Sequence, residues 1–125
     1  MEINKDIKIL FIDDQEDVAQ KYYDHLKRRY PNVYKAFSGE EAYEIFKKVK
    51  PHIIFLDIDL PKISGLELLK IIRKTDNETS IVVLSSYSKA TIISEAKKNN
   101  IYDYIIKPIT RGELHKIIED IANIK

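Results

Sequence analysis

Asp13-Asp14, Asp57, Ser85-Ser86 and Lys107-Pro108 each stand at or just past the end of a short apolar run. Brought together, they would give three carboxylates, a hydroxyl and an ammonium in one small pocket. Two carboxylates about 4 Å apart repel by roughly 4 kcal/mol at an effective dielectric near 20, so such a cluster invites a cation or a proton. No His or Cys accompanies these groups, and an all-oxygen donor set favours a hard divalent ion. Mg²⁺ is the natural choice, because it uses one or two carboxylates together with phosphate oxygens. The matching chemistry is phosphoryl transfer, in which a carboxylate can be the nucleophile and form an aspartyl phosphate. Asp57 would attack, the metal and Lys107 would neutralise charge, and Ser85 would hydrogen-bond a phosphoryl oxygen. Each group alone has an ordinary reading: a helix cap for Asp13 or Asp14, a turn former for Asp57 or Ser85, strand packing for Tyr104. Their joint occurrence at successive strand ends is what favours chemistry.

The elements that would position them alternate along the chain. Strands are predicted over Ile7–Ile12, Val33–Phe37, His52–Leu56, Ser80–Leu84 and Tyr102–Ile106. The first, third and fourth are almost continuously apolar, as in parallel strands covered on both faces. Helical spacing links Val18, Tyr22, Leu26 and Arg29, and then Ala42, Ile45, Phe46 and Val49. Further helical faces are Leu66, Leu69, Ile72 and Arg73; Ile92, Ile93, Ala96 and Lys97; and Leu114, Ile117, Ile118, Ile121 and Ala122. Ser38, Ser64 and Thr110, each with Glu three residues on, match the capping box. Ser88 and Asp14 are the expected caps of the fourth and first helices. A βα repeat of this kind implies an α/β fold with a parallel sheet and right-handed crossovers. Its functional crevice lies at the carboxyl ends of the strands.

Composition narrows the alternatives. The 125 residues are 44% hydrophobic and 33% charged, which suits one globular domain over residues 1–125. A net charge of +1 and the lack of basic clusters give no sign of direct nucleic-acid or membrane binding. The absence of cysteine excludes disulfides, thiolate metal sites and thiol nucleophiles. The opening MEINKDIK lacks the apolar stretch of a signal peptide, so a cytoplasmic location is expected. His25, His52 and His115 are scattered, none at ligand spacing from another, and are read as structural or solvated.

Four motifs, Ile9-Leu10-Phe11-Ile12-Asp13-Asp14, Ile54 to Gly65 around Asp57, Val82-Val83-Leu84-Ser85 and Tyr104-Ile105-Ile106-Lys107-Pro108, occur in order. Over essentially the whole chain this resembles the receiver domains of two-component response regulators, the chemotaxis-regulator type included. The resemblance implies a flavodoxin-like (βα)5 three-layer sandwich with strand order 2-1-3-4-5. It implies a signalling phosphoacceptor rather than an enzyme, with Mg²⁺-dependent transfer from the histidine of a sensor kinase to Asp57. Asp14 and Asp57 would bind the metal directly, Asp13 through water, and Asp59 through its main-chain carbonyl. Lys107 would contact the phosphoryl group, and a cis peptide is expected before Pro108. Ser85 and Tyr104 match the switch pair, with output to a downstream protein or output domain through helix 4, strand 5 and helix 5. Lys89, Ile93, Lys97, Tyr102 and Arg111 are the expected exposed residues of that face. Asp59 adds a charge beside the acceptor, and Tyr87 is placed to gate the pocket.

Two rivals remain at this stage. Asp57-Ile58-Asp59 also fits the DxD motif of haloacid-dehalogenase-type phosphatases, although Asp13-Asp14 then go unexplained. The other is a receiver-like binding module that acts without phosphorylation. The sequence leaves open the kinase, the output, a phosphorylation-dependent homodimer, and whether the chain stands alone or is a receiver cut from a longer protein.

Overall fold

The computed structural model describes residues 6–60 and 62–124. Residues 1–5, Pro61 of the second motif and Lys125 lie outside the described residues. Five strands alternate with five helices. They are β1 (Lys8–Ile12), α1 (Glu16–Lys27), β2 (Asn32–Ala36), α2 (Gly39–Val49), β3 (Ile53–Asp57), α3 (Gly65–Arg73), β4 (Ser80–Ser85), α4 (Ala90–Lys97), β5 (Asp103–Ile106) and α5 (Arg111–Ile124). All neighbouring strands pair in parallel, in the order β2-β1-β3-β4-β5. This is the expected α/β flavodoxin-like topology, with strand limits displaced by no more than one residue.

The period of two along each strand divides the core into two layers. Ile9, Phe11, Ile53, Phe55, Val82 and Leu84 face α1 and α5, where they meet Leu26, Leu114, Ile118 and Ile121. Leu10, Ile12, Ile54, Leu56, Ile81 and Val83 face the other way, onto Ala42, Phe46, Leu68, Leu69, Ile72 and Ala96. Every residue of β3 is therefore buried. That is the physical reason the central strands read as unbroken apolar runs. At the sheet edge β5 is only partly covered, and Ile106 is left 45% exposed.

Three of the five expected caps form. Ser38 and Ser64 accept hydrogen bonds from the N–H groups of Glu41 and Glu67 at 3.1 Å. Thr110 and Glu113 make the full reciprocal box, at 3.1 and 3.0 Å. The other two expectations are corrected. The cap position of α1 is Gln15, not Asp14, and that of α4 is Lys89, not Ser88; neither makes a side-chain cap bond. In place of a cap on α1, Asp13 Oδ1 accepts from the N–H of Gln15 at 3.0 Å, because the chain must turn sharply after β1.

Arg73, read from its spacing as the end of the α3 apolar face, has another task. Its guanidinium donates to the carbonyl oxygens of Asn99, Asp76, Thr79 and Asn100 at 2.7–2.9 Å, tying the end of α3 to the turn before β4 and to the segment after α4. Only a planar five-donor fork can meet so many carbonyls at once.

Lys50 ends α2 in the left-handed region, at φ 52° and ψ 68°, with its N–H bonded to Phe46 O. A Cβ is disfavoured in this conformation and glycine is not. Lys50→Gly is expected to stabilise the protein by about 0.5–1 kcal/mol. A urea unfolding midpoint that is unchanged or lower would contradict this.

Candidate functional site

Parallel register carries the ends of β1, β3, β4 and β5 to one edge of the sheet. Asp57 is the last residue of β3 and only 1% exposed; Asp13, just after β1, is 2% exposed. Asp14 is exposed. Asp13, Asp14 and Asp57 each offer a carboxylate oxygen within 4.8 Å of the others, the one such group of three among the described residues. From the loop after β5, Lys107 Nζ reaches Asp57 Oδ2 at 2.9 Å and Asp13 Oδ2 at 3.9 Å. The Lys107–Pro108 peptide is cis, as the resemblance implied.

The backbone completes the setting. Asp57 Oδ1 accepts from the N–H of Asp59 at 2.9 Å, and the N–H of Ile58 bonds to Leu84 O, which locks the turn after β3 onto β4. Ser85, fully buried at the end of β4, accepts through Oγ from the N–H of Tyr87 at 2.9 Å. The hydroxyl of Tyr104, from β5, donates to the carbonyl of the same Tyr87 at 2.8 Å. Both residues read as the switch pair are therefore fastened to one peptide segment, a link that sequence pattern does not reveal. Tyr87 itself, the residue expected to gate the pocket, is 49% exposed.

The electrostatics follow from this crowding. Burial, and next among the raising influences the negative charge of Asp57, push the Asp13 carboxyl up to about 6, against the opposing effects of the Gln15 N–H and Lys107. Burial and the charge of Asp57 also raise Asp59. For Lys107 burial acts downward, but the hydrogen bond to Asp57 and the charges of Asp57, Asp13 and Asp59 outweigh it and hold the ammonium above its ordinary range. One ammonium thus serves several carboxylates, leaving an uncompensated negative pocket whose donors are all oxygen. Such a donor set fits a hard divalent cation such as Mg²⁺.

Two expectations are corrected here. Ile93 of α4 is half-buried, whereas Lys89, Lys97, Tyr102 and Arg111 are exposed as expected. His25 and His115 are not independent, since their Nε2 atoms lie 2.8 Å apart. They are 90 positions apart in sequence, so no local spacing signals the pair.

Comparison with known proteins agrees with this arrangement. The family model described as the response regulator receiver domain matches residues 9–119. The chemotaxis protein CheY of Thermotoga maritima is 32% identical over 116 residues, covering 92% of this chain and 97% of that protein. The regulatory protein AtoC of Escherichia coli is 26% identical over 112 residues, which is 90% of this chain but 24% of AtoC. The chain thus spans about a quarter of one relative and nearly all of another. A crystal structure of the N-terminal domain of an uncharacterized protein from Wolinella succinogenes superposes with a TM-score of 0.89 at 30% identity, covering 94% of this chain and 95% of that one. Among the described residues no helix is long and apolar enough to cross a membrane. With its β2-β1-β3-β4-β5 sheet, its acidic pocket and a family match over most of its length, the chain belongs to the response regulator receiver family.

Proposed function

We propose that residues 1–125 act as one phosphoacceptor receiver domain, with Asp57 taking a phosphoryl group from the histidine of a sensor kinase. One observation carries the reading: Asp57 ends the central strand with Lys107 Nζ at 2.9 Å and two further carboxylates beside it. An Asp57 carboxylate oxygen forms the new P–O bond as the P–N bond to the donor imidazole breaks. The imidazole leaves with the bonding pair and takes a proton from solvent. Lys107, already aimed at Asp57, follows the transferred charge. Asp13, Asp14 and Asp57, with the main-chain carbonyl of Asp59, are the groups that would hold Mg²⁺, and the bound ion supplies charge neutralisation on the phosphoryl oxygens.

The test is intact-protein mass spectrometry after incubation with a small acyl phosphate, with and without Mg²⁺. A single added phosphoryl group is expected, dependent on Mg²⁺ and absent from Asp57→Asn. No adduct on folded protein would favour the phosphorylation-independent module, and steady phosphate release would favour a phosphatase.

The output follows from Tyr87. Ser85 Oγ is an acceptor in its bond to Tyr87, so its O–H is the donor that a phosphoryl oxygen would draw on. Movement of Ser85 pulls on Tyr87, and Tyr87 is held by Tyr104, so the face of α4, β5 and α5 responds and its affinity for a downstream partner changes. In Tyr104→Ala, phosphorylation is expected to proceed while the hydrogen-exchange response of β5 and α4 is lost. A response of full size in that variant would remove Tyr104 from the switch.

A further inference from the structure

His25 of α1 and His115 of α5 meet where the two helices adjoin. Their Nε2 atoms are 2.8 Å apart, and the rings meet edge to face at 65°, with centroids 4.9 Å apart. Both residues are half-buried, and the second nitrogen of His115, Nδ1, is buried without a hydrogen-bond partner. Burial first, and then the surrounding cations, hold both imidazoles below their ordinary range, which leaves them neutral and able to act as ligands at neutral pH. The charged groups that act on the pair are Arg28, Arg29, Arg111 and Glu119. Glu119 pairs with Arg29 Nη2 at 3.4 Å.

Two imidazole nitrogens bound side by side to one ion at about 2.1 Å stand roughly 3 to 3.4 Å apart. At 2.8 Å one Nε2–H donates to the other ring. An ion bound here therefore requires that ring to carry its proton on Nδ1 and both rings to turn until their Nε2 lone pairs face a common point, at a separation within an ångström of the present one. The donor set is purely nitrogen, the opposite of the acidic pocket, and suits borderline transition ions rather than Mg²⁺.

We infer that His25 and His115 form a second metal site, a two-imidazole chelate for Cu²⁺, Ni²⁺ or Zn²⁺ that ties α1 to α5. Water fills the remaining coordination positions. Because α1 and α5 cover the same layer of the core, an ion held there staples the first helix to the last and stabilises the folded chain by mass action. The neighbouring arginines weaken affinity for any dication, so the chelate depends on both rings.

The test is calorimetric titration with Ni²⁺ in excess Mg²⁺, on wild type, His25→Gln, His115→Gln and Asp57→Asn. A single Ni²⁺ per chain is expected in wild type and Asp57→Asn, with affinity weakened by about tenfold or more in either histidine variant. Circular dichroism, together with Mg²⁺-dependent labelling of Asp57, checks that the histidine variants are folded. His25→Gln, at the more exposed end of the pair, serves if His115→Gln is not. No Ni²⁺ binding to wild type, binding unchanged in the folded histidine variants, or binding lost in Asp57→Asn would each overturn the assignment. The last outcome would place the ion in the acidic pocket.

Discussion

Gly65→Ala is expected to cost about 3 kcal/mol of stability, far more than a methyl group usually does near a surface. The reason is contact rather than backbone freedom, for no glycine in the described chain has a positive φ. A Cβ on Gly65 would lie 2.4 Å from Ile58 Cα, 2.5 Å from Asp57 O and 2.9 Å from Ile58 C. All three are backbone atoms of the turn that carries Asp57, and they cannot rotate away. The N–H of Gly65 also bonds to Ile58 O at 3.1 Å, so the first turn of α3 lies directly on the peptide after Asp57. Whatever relieves the clash must displace Asp57 or α3, and labelling of Asp57 should slow together with the loss of stability. Gly112→Ala is the control. There the added Cβ meets nothing nearer than Thr110 Oγ1 at 3.9 Å, and a gain of up to about 1 kcal/mol is expected. Urea unfolding of the two variants decides the matter. Equal midpoints would mean that α3 does not press on the turn after β3.

Asp13→Asn should stabilise the metal-free protein at pH 7.5 by on the order of 2 kcal/mol, after discounting for water at the pocket mouth. Asp13 titrates near 6 when folded, against 3.8 as the unperturbed value. Its carboxyl therefore binds a proton more tightly in the folded state. The stability this confers is fully present below pH 3.8 and is lost as pH rises through 6, so at pH 7.5 the ionised group opposes folding. Asparagine removes that charge and keeps an oxygen for the N–H of Gln15, although it gives up the attraction to Lys107 at 3.9 Å. The difference between variant and wild type should close below about pH 4, where Asp13 is protonated in both states. Mg²⁺ should raise the melting temperature of wild type more than that of the variant. Thermal melts in EDTA and in Mg²⁺, from pH 3.5 to 8, test the whole pattern. A variant less stable than wild type in EDTA at pH 7.5 would show that Lys107 already compensates the cluster.

Both substitutions concern the acidic pocket, and they show how the information about it is divided. That Asp13, Asp14, Asp57 and Lys107 would meet was legible in the sequence. Apolar runs over β1, β3 and β4 have no polar interruption because both faces of each strand are covered, so their ends stand out, and those ends carry Asp13-Asp14, Asp57 and Ser85. Ser38, Ser64 and Thr110 mark helix starts because a cap bond spans only three residues, which a local pattern can report. Strand order followed once the four motifs had been matched to a family.

Other features were decided only when the layers packed. Nothing local distinguishes Gly65, at the start of its helix, from Gly112 near the start of another; what differs is how closely β3 approaches. The four carbonyls on Arg73, the meeting of His25 with His115, and the hold of Tyr104 on Tyr87 join residues that are mostly far apart in the chain. Asp14 and Ser88 have the residue types of caps and still make none, because the turns after β1 and β4 give the cap positions to Gln15 and Lys89. Residue type and period determine which elements form and which of their faces is buried. Side-chain partners across elements depend on register, crossing and tilt, and those are set by the packing of the whole sheet and its two helical layers.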